Sequence, residues 1–193
     1  MRLIRVQDVQ DVIYCLEQLK SEKNVNQVSL VDPSRVCVIG GSHGGFLSAH
    51  LIGQFPKLFK AAALRNPVTN IPAMFSGTDI PDWCYVETAG PENYHFDSFR
   101  VPSAEDLQRA YQHSPIRFID NVETPTILLL GGKDRRVPCS QGIEYYHALA
   151  ARKVPAKMLF FPEDVHALDK PCTEAEQWIA TAEFLSSYLS RKI

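Results

Sequence analysis

Ser42 stands between paired glycines, in the run Gly40-Gly41-Ser42-His43-Gly44-Gly45. A short β-branched run, Val36 to Ile39, leads into it. A helical pattern through Leu47, His50, Leu51 and Gln54 leads out. A serine with glycine two before and two after it, between a strand and a helix, has the spacing of a nucleophile elbow. So sharp a turn forces the serine into a strained backbone, and the spacing predicts no room for a β-carbon at Gly40 or Gly44. The hydroxyl is thereby lifted clear of the sheet. It also stands at a helix N-terminus, where the backbone N–H of His43 can serve a developing oxyanion. The competing reading is a glycine-rich turn with an incidental serine; the flanking strand and helix argue against it.

A serine hydroxyl is a weak nucleophile. It needs a base within hydrogen-bond reach, and the base needs an acceptor to fix its tautomer. Six histidines compete for the first role. His50 and His147 fall inside helical patterns, His95 and His113 lie in or beside an irregular stretch, and His43 offers its backbone rather than its ring. His166 alone follows a late strand. For the acid, Asp134 directly follows the most apolar strand, whereas Asp164 and Asp169 share the loop of the histidine itself. An orienting group usually comes from a neighbouring strand end, which favours Asp134. Beside it, Arg135 and Arg136 read either as solvated charges or, for Arg136, as a partner for a nearby carboxylate.

The elements that must hold these residues follow a clear order. Apolar positions Val6, Val9, Ile13, Leu16 and Leu19 predict an opening helix. Residues 24–35 form a connector with a turn at Asp32-Pro33-Ser34. After the elbow helix, Ala61 to Arg65 reads as a strand closed by Asn66-Pro67. From about 71 to 110 the pattern breaks into loops and short helices with scattered aromatics (Phe75, Trp83, Tyr85, Tyr94, Phe96, Phe99). Such an excursion either covers a site, with Trp83 a candidate for the substrate pocket, or is plain surface. Thr126 to Leu130 is a buried parallel strand by its continuous apolar character. A helix from about Ser140 to Lys153 and a strand from Lys157 to Phe161 follow. A last helix opens on the capping pattern Thr173-x-x-Glu176, with a stripe at Trp178, Ala182, Leu185 and Leu189.

This alternation means an α/β domain, a mostly parallel sheet with helices on both faces. Functional residues of such sheets gather beyond the carboxyl ends of the strands. Ser42, Asp134 and His166 each follow a different strand, in the chain order Ser…Asp…His of α/β-hydrolases.

Composition narrows the field further. The 193 residues are 45% hydrophobic with a net charge of −2, which fits one globular domain over 1–193. It offers no basic face for nucleic acid or membrane. The five cysteines (15, 37, 84, 139 and 172) are scattered without C-x-x-C spacing and read as reduced thiols of a cytosolic protein. Neither a signal peptide nor a membrane-spanning run is visible. No metal-binding spacing and no dinucleotide fingerprint appears, so no metal and no cofactor is expected.

Several runs together resemble the acylaminoacyl-peptidases of the prolyl oligopeptidase family of serine peptidases. They are Gly40-Gly41-Ser42-His43-Gly44-Gly45-Phe46, Arg65-Asn66-Pro67-Val68 and Thr78-Asp79-Ile80-Pro81-Asp82-Trp83-Cys84, then Ser114-Pro115-Ile116-Arg117, Asp134-Arg135-Arg136-Val137-Pro138, Gln141-Gly142 with Glu144-Tyr145-Tyr146, and His166-Ala167-Leu168. The similarity runs from Gln7 to the last helix. It implies an α/β-hydrolase fold and a cytosolic, often oligomeric enzyme. That enzyme hydrolyses short N-acylated peptides and releases an N-acyl amino acid. Carried over by position, Ser42 is the nucleophile, Asp134 the orienting acid, His166 the base, and the His43 N–H an oxyanion donor. The family also carries an N-terminal β-propeller, earlier sheet strands and an upstream His-Gly-Gly loop with the second oxyanion donor. None of these is seen in this sequence. The expectation is therefore the C-terminal part of such a catalytic domain. The alternatives are a related oligopeptidase or esterase, or an impaired form that acts only by association.

Overall fold

The computed structural model describes residues 4–23, 31–95, 97 and 100–190. The side chain of Val6, most of the 24–35 connector, and Phe96 and Phe99 lie outside that description. Helix α1 (Ile4–Ser21) is followed by β1 (Val38–Gly41), α2 (His43–Gln54) and β2 (Ala62–Arg65). Next come the short helices α3 (Ile71–Met74), α4 (Pro81–Ala89) and α5 (Ala104–Gln112), with 3-10 turns at Pro91–Asn93 and Pro115–Asn121. Strand β3 (Thr126–Gly131), α6 (Ser140–Ala151), β4 (Ala156–Phe161) and α7 (Pro171–Leu189) complete the chain.

The four strands pair in parallel in the order β1-β2-β3-β4. Every strand therefore ends on the same side, and the loops that follow converge there. Side chains alternate between two apolar layers. Ala62, Leu64, Leu128 and Leu130 face α1, α2 and α6 through Val9, Ala49, Ile52, Tyr145 and Leu149. Ala61, Ala63, Ile127 and Leu129 face α7 through Ala180 and Leu185. β3 is buried along its whole length, which accounts for its uninterrupted apolar sequence. β1 is an edge strand among the described residues, and its Ile39 is 53% exposed.

A third cluster joins the 71–110 segment to the elbow. Phe46 of α2 packs with Val68, Ile71, Phe75, Tyr85, Tyr94 and Val137, and Trp83 lies against them. The short helices have apolar anchors, and α5 starts at a full capping box on Ser103 and Asp106. The guanidinium of Arg100 pairs with Asp106 and stacks over Tyr85 at 4.5 Å.

Some expectations need correction. Leu19 points outward rather than into the core, 48% exposed on α1. The last helix starts at Pro171 with Lys170 as its N-cap, so Thr173 does not cap it; Thr173 is buried inside the first turn. Its packed face is Thr173, Gln177, Ala180, Thr181 and Leu185. Trp178 is 53% exposed and Ala182 lies outside. The face is set by Gln177, whose amide donates to the Leu168 carbonyl at 2.9 Å. No described helix is long and apolar enough to cross a membrane.

Candidate functional site

β1 stops at Gly41, where the Ser42 N–H donates to the Arg65 carbonyl at 2.8 Å. Ser42 then takes φ 57 and ψ −122 as the N-cap of α2. This is a left-handed conformation that costs a non-glycine residue roughly 1–3 kcal/mol. It turns the chain from strand to helix within one residue. Gly40 is demanded by that turn, because a β-carbon there would sit 2.0 Å from the Gly44 carbonyl oxygen. Gly44 is a correction: a β-carbon on it would meet nothing within 4 Å. Its part in the crossing is its carbonyl, and its missing side chain points away. The other glycine of the turn pressed against backbone is Gly45, whose β-carbon would fall 2.9 Å from Pro67 just beyond β2; Gly41 faces only the Arg65 side chain.

The three residues that follow three strands meet. His166 Nε2 lies 2.8 Å from Ser42 Oγ, and His166 Nδ1 lies 2.6 Å from Asp134 Oδ2. The other carboxylate oxygen of Asp134 accepts the N–H groups of Arg136 and Val137, both at 2.9 Å. One oxygen is thus fixed by backbone and the other left for the imidazole. The Asp134 side chain is fully buried. With the carboxylate at Nδ1, that nitrogen carries the proton, and Nε2 is free to accept from the serine hydroxyl. Asp164 is engaged elsewhere, its side chain near Lys170 and its carbonyl accepting from Lys133.

The Asp134 loop is clasped to the segment before α4. Arg136 Nε donates to Asp79 Oδ1 at 2.7 Å, and Thr78 Oγ1 donates to the Arg136 carbonyl. The Arg136 guanidinium holds the Asp79 carboxyl below its ordinary range. An open cleft of about 900 Å³ beside His166 is lined by Asp79, Lys133, Asp134, Arg135 and Arg136.

His43, next to Ser42, starts α2. Its first-turn N–H has no carbonyl four residues back to satisfy it and is available to an anion. Its ring stacks on Phe46, meets Trp83 edge-on, and sets Nε2 3.6 Å from Glu87 Oε1 of α4. The Glu87 carboxylate pushes the His43 pKa up, against the opposing effect of burial. The other histidines stand apart. His50 is buried, its Nε2 near the His113 carbonyl; His95 and His147 are exposed. Among the described residues no three His, Cys, Asp or Glu side chains gather as a metal site.

Two residues here carry little signal in the sequence. Glu87 carries no motif. Asn66 reads only as the end of a strand and part of the run Arg65-Asn66-Pro67-Val68, and the signal for it is a side chain that tolerates left-handed backbone at a strand end.

The prolyl oligopeptidase family profile matches residues 2–192. The chain is 47% identical over 182 residues to the acylamino-acid-releasing enzyme of Arabidopsis thaliana, covering 94% of this chain and 23% of that protein. It is 45% identical over 183 residues to the enzyme of the same description from Mus musculus, covering 95% and 24%. The chain thus spans about a quarter of the length of these relatives. Its backbone superposes on Pyrococcus horikoshii acylaminoacyl peptidase with a TM-score of 0.80, at 22% identity, covering 98% of this chain and 28% of that one. The architecture they share is the α/β-hydrolase fold.

Proposed function

The chain belongs to the prolyl oligopeptidase family, and from that membership we propose that it carries the acyl-transfer centre of a serine peptidase acting on short N-acylated peptides. The observation that carries the reading is the Ser42–His166–Asp134 relay, with contacts of 2.8 and 2.6 Å between groups from three loops. In this proposal Ser42 Oγ attacks the carbonyl carbon of the first peptide bond while His166 Nε2 takes the hydroxyl proton. Asp134 steadies the imidazolium. The carbonyl oxygen becomes an oxyanion at the N-terminus of α2, within reach of the His43 N–H; a single such donor contributes on the order of a hundred- to a thousandfold in rate. Collapse breaks the C–N bond, and His166 returns its proton to the leaving amine. Water, deprotonated by the same imidazole, then cleaves the acyl-enzyme ester and frees the N-acyl amino acid.

The substrate class rests on the relatives, which are acylamino-acid-releasing enzymes. Trp83, against His43 and Phe46, is the proposed apolar wall beside the nucleophile. The five unpaired thiols support a reducing, cytosolic setting.

The test is covalent labelling with a fluorophosphonate, which reports an activated serine without a matched peptide. Labelling of the chain and its loss in Ser42→Ala are expected. Acetyl-capped short peptides are then expected to be cleaved in preference to the same peptides with free amino termini. A folded chain that does not label overturns the reading. Labelling without preference for the acetyl cap moves it to a related oligopeptidase or esterase.

A further inference from the structure

Asn66 is none of the three relay residues, yet its side chain joins the segments that carry two of them. It lies one residue beyond β2, is 2% exposed and has φ 41. Its backbone N–H continues the ladder to the Leu129 carbonyl at 2.9 Å. The side chain then runs across the carboxyl end of the sheet. Nδ2 donates to the His166 carbonyl at 2.9 Å, and Oδ1 accepts the Gly131 N–H at 2.9 Å. A backbone donor on one side and a backbone acceptor on the other fix which way the amide faces.

Building on the acyl-transfer reading, we propose that Asn66 is a positioning residue that sets the His166 loop against the strand end from which Asp134 hangs. Gly131 is the last residue of β3, and its carbonyl takes the Asp134 N–H at 3.3 Å. The histidine loop is pressed onto the same glycine, where a β-carbon would come within 2.6 Å of the Val165 carbonyl oxygen. Elsewhere the loop is tied at Asp164, by the Lys133 N–H, at Ala167, by the Arg65 guanidinium at 3.4 Å, and at Leu168, by Gln177. Among the described residues Asn66 alone holds it at the backbone of His166 itself. Only a short amide on left-handed backbone can turn back to reach both groups. Asparagine is among the few side chains that adopt this backbone readily, and it carries a donor and an acceptor on one carbon.

Two variants separate the clamp from the fold. Asn66→Gly accepts φ 41 without strain and deletes both side-chain bonds. Asn66→Asp keeps the size and the acceptor for Gly131, but sets a carboxylate oxygen against the His166 carbonyl. Loosening the imidazole by an ångström is expected to slow fluorophosphonate labelling of Ser42 about 10–100-fold in both, since misplacement on that scale costs on that order. The second readout is the downfield proton NMR signal of His166 Nδ1–H, which reports the bond to Asp134 and does not need the nucleophile. It is expected in the parent chain and in Ser42→Ala, and broadened or shifted upfield in both Asn66 variants. A parent chain that shows the signal but does not label defeats the peptidase reading alone; the response of the signal to Asn66 then decides the positioning role. A folded variant with the parental signal and parental labelling overturns the proposal, as does a parent chain without the signal. Should Asn66→Gly fail to fold, Asn66→Asp, which keeps the native backbone preference, decides by the same two readouts.

Discussion

At the scale of single residues the elbow is governed by where β-carbons would point. Gly40 and Gly44 are equal partners in the motif but not in space. Gly40→Ala drives a methyl into the Gly44 carbonyl and is expected to abolish labelling and lower the melting temperature. Gly44→Ala places its methyl in the open, inside α2. It is expected to keep the fold and raise stability slightly, by less than the roughly 0.5–1 kcal/mol gained at a mid-helix glycine, because Gly44 is only the second residue of α2. Gly45→Ala should reverse that sign against Pro67. Thermal denaturation of the three variants side by side checks the ranking. Ser42, Asp134 and His166 were legible in the sequence because each follows a strand run and their chain order is informative. The roles of Gly45 and Asn66 were not, since both come from close approaches between segments far apart in the chain, which no local pattern records.

At the scale of elements, α2 and α4 meet through His43 and Glu87. Because the folded-state pKa of His43 is raised above its ordinary 6.5, the pairing contributes in full below that value. It is lost as the pH rises through the raised one. The other groups around the pair are Trp83 and Phe46, with Asp8 a more distant charge of the same sign as Glu87. Amide exchange across α4 is therefore expected to quicken as the pH climbs past the His43 titration. In Glu87→Gln that dependence should vanish, with exchange fast throughout. An unchanged profile in Glu87→Gln would show that the pair does not fasten α4. The strands and most helices were readable from periodicity and from the apolar run of β3. The face of α7 was not. Its buried side includes Thr173, Gln177 and Thr181, polar residues that an apolar stripe overlooks, while Trp178 drew the reading to the wrong side.

At the scale of the whole molecule, the sheet among the described residues ends on one flank at β1. There Ile39 and, across a groove of about 200 Å³, Trp178 are both half exposed. Unpaired edge N–H and C=O groups beside apolar side chains invite pairing with another chain. Concentration-dependent association is expected by sedimentation velocity, and Ile39→Lys, which puts a charge on that edge, should weaken it while leaving the relay intact. Equal association of the two chains would remove β1 as the contact. The fold class was legible in the alternation of strands and helices.

The relay has a consequence for the order in which the protein is made. Ser42 and His166 are 124 residues apart in the chain. At the usual 5–20 residues per second, roughly 6–25 s of synthesis separates the serine from its base. During that interval the elbow strand and its helix have emerged, but the hydroxyl has no partner to draw off its proton. On the proposed acyl-transfer reading, the capacity to attack a carbonyl arrives late, when β4 adds to the sheet and brings His166 with it.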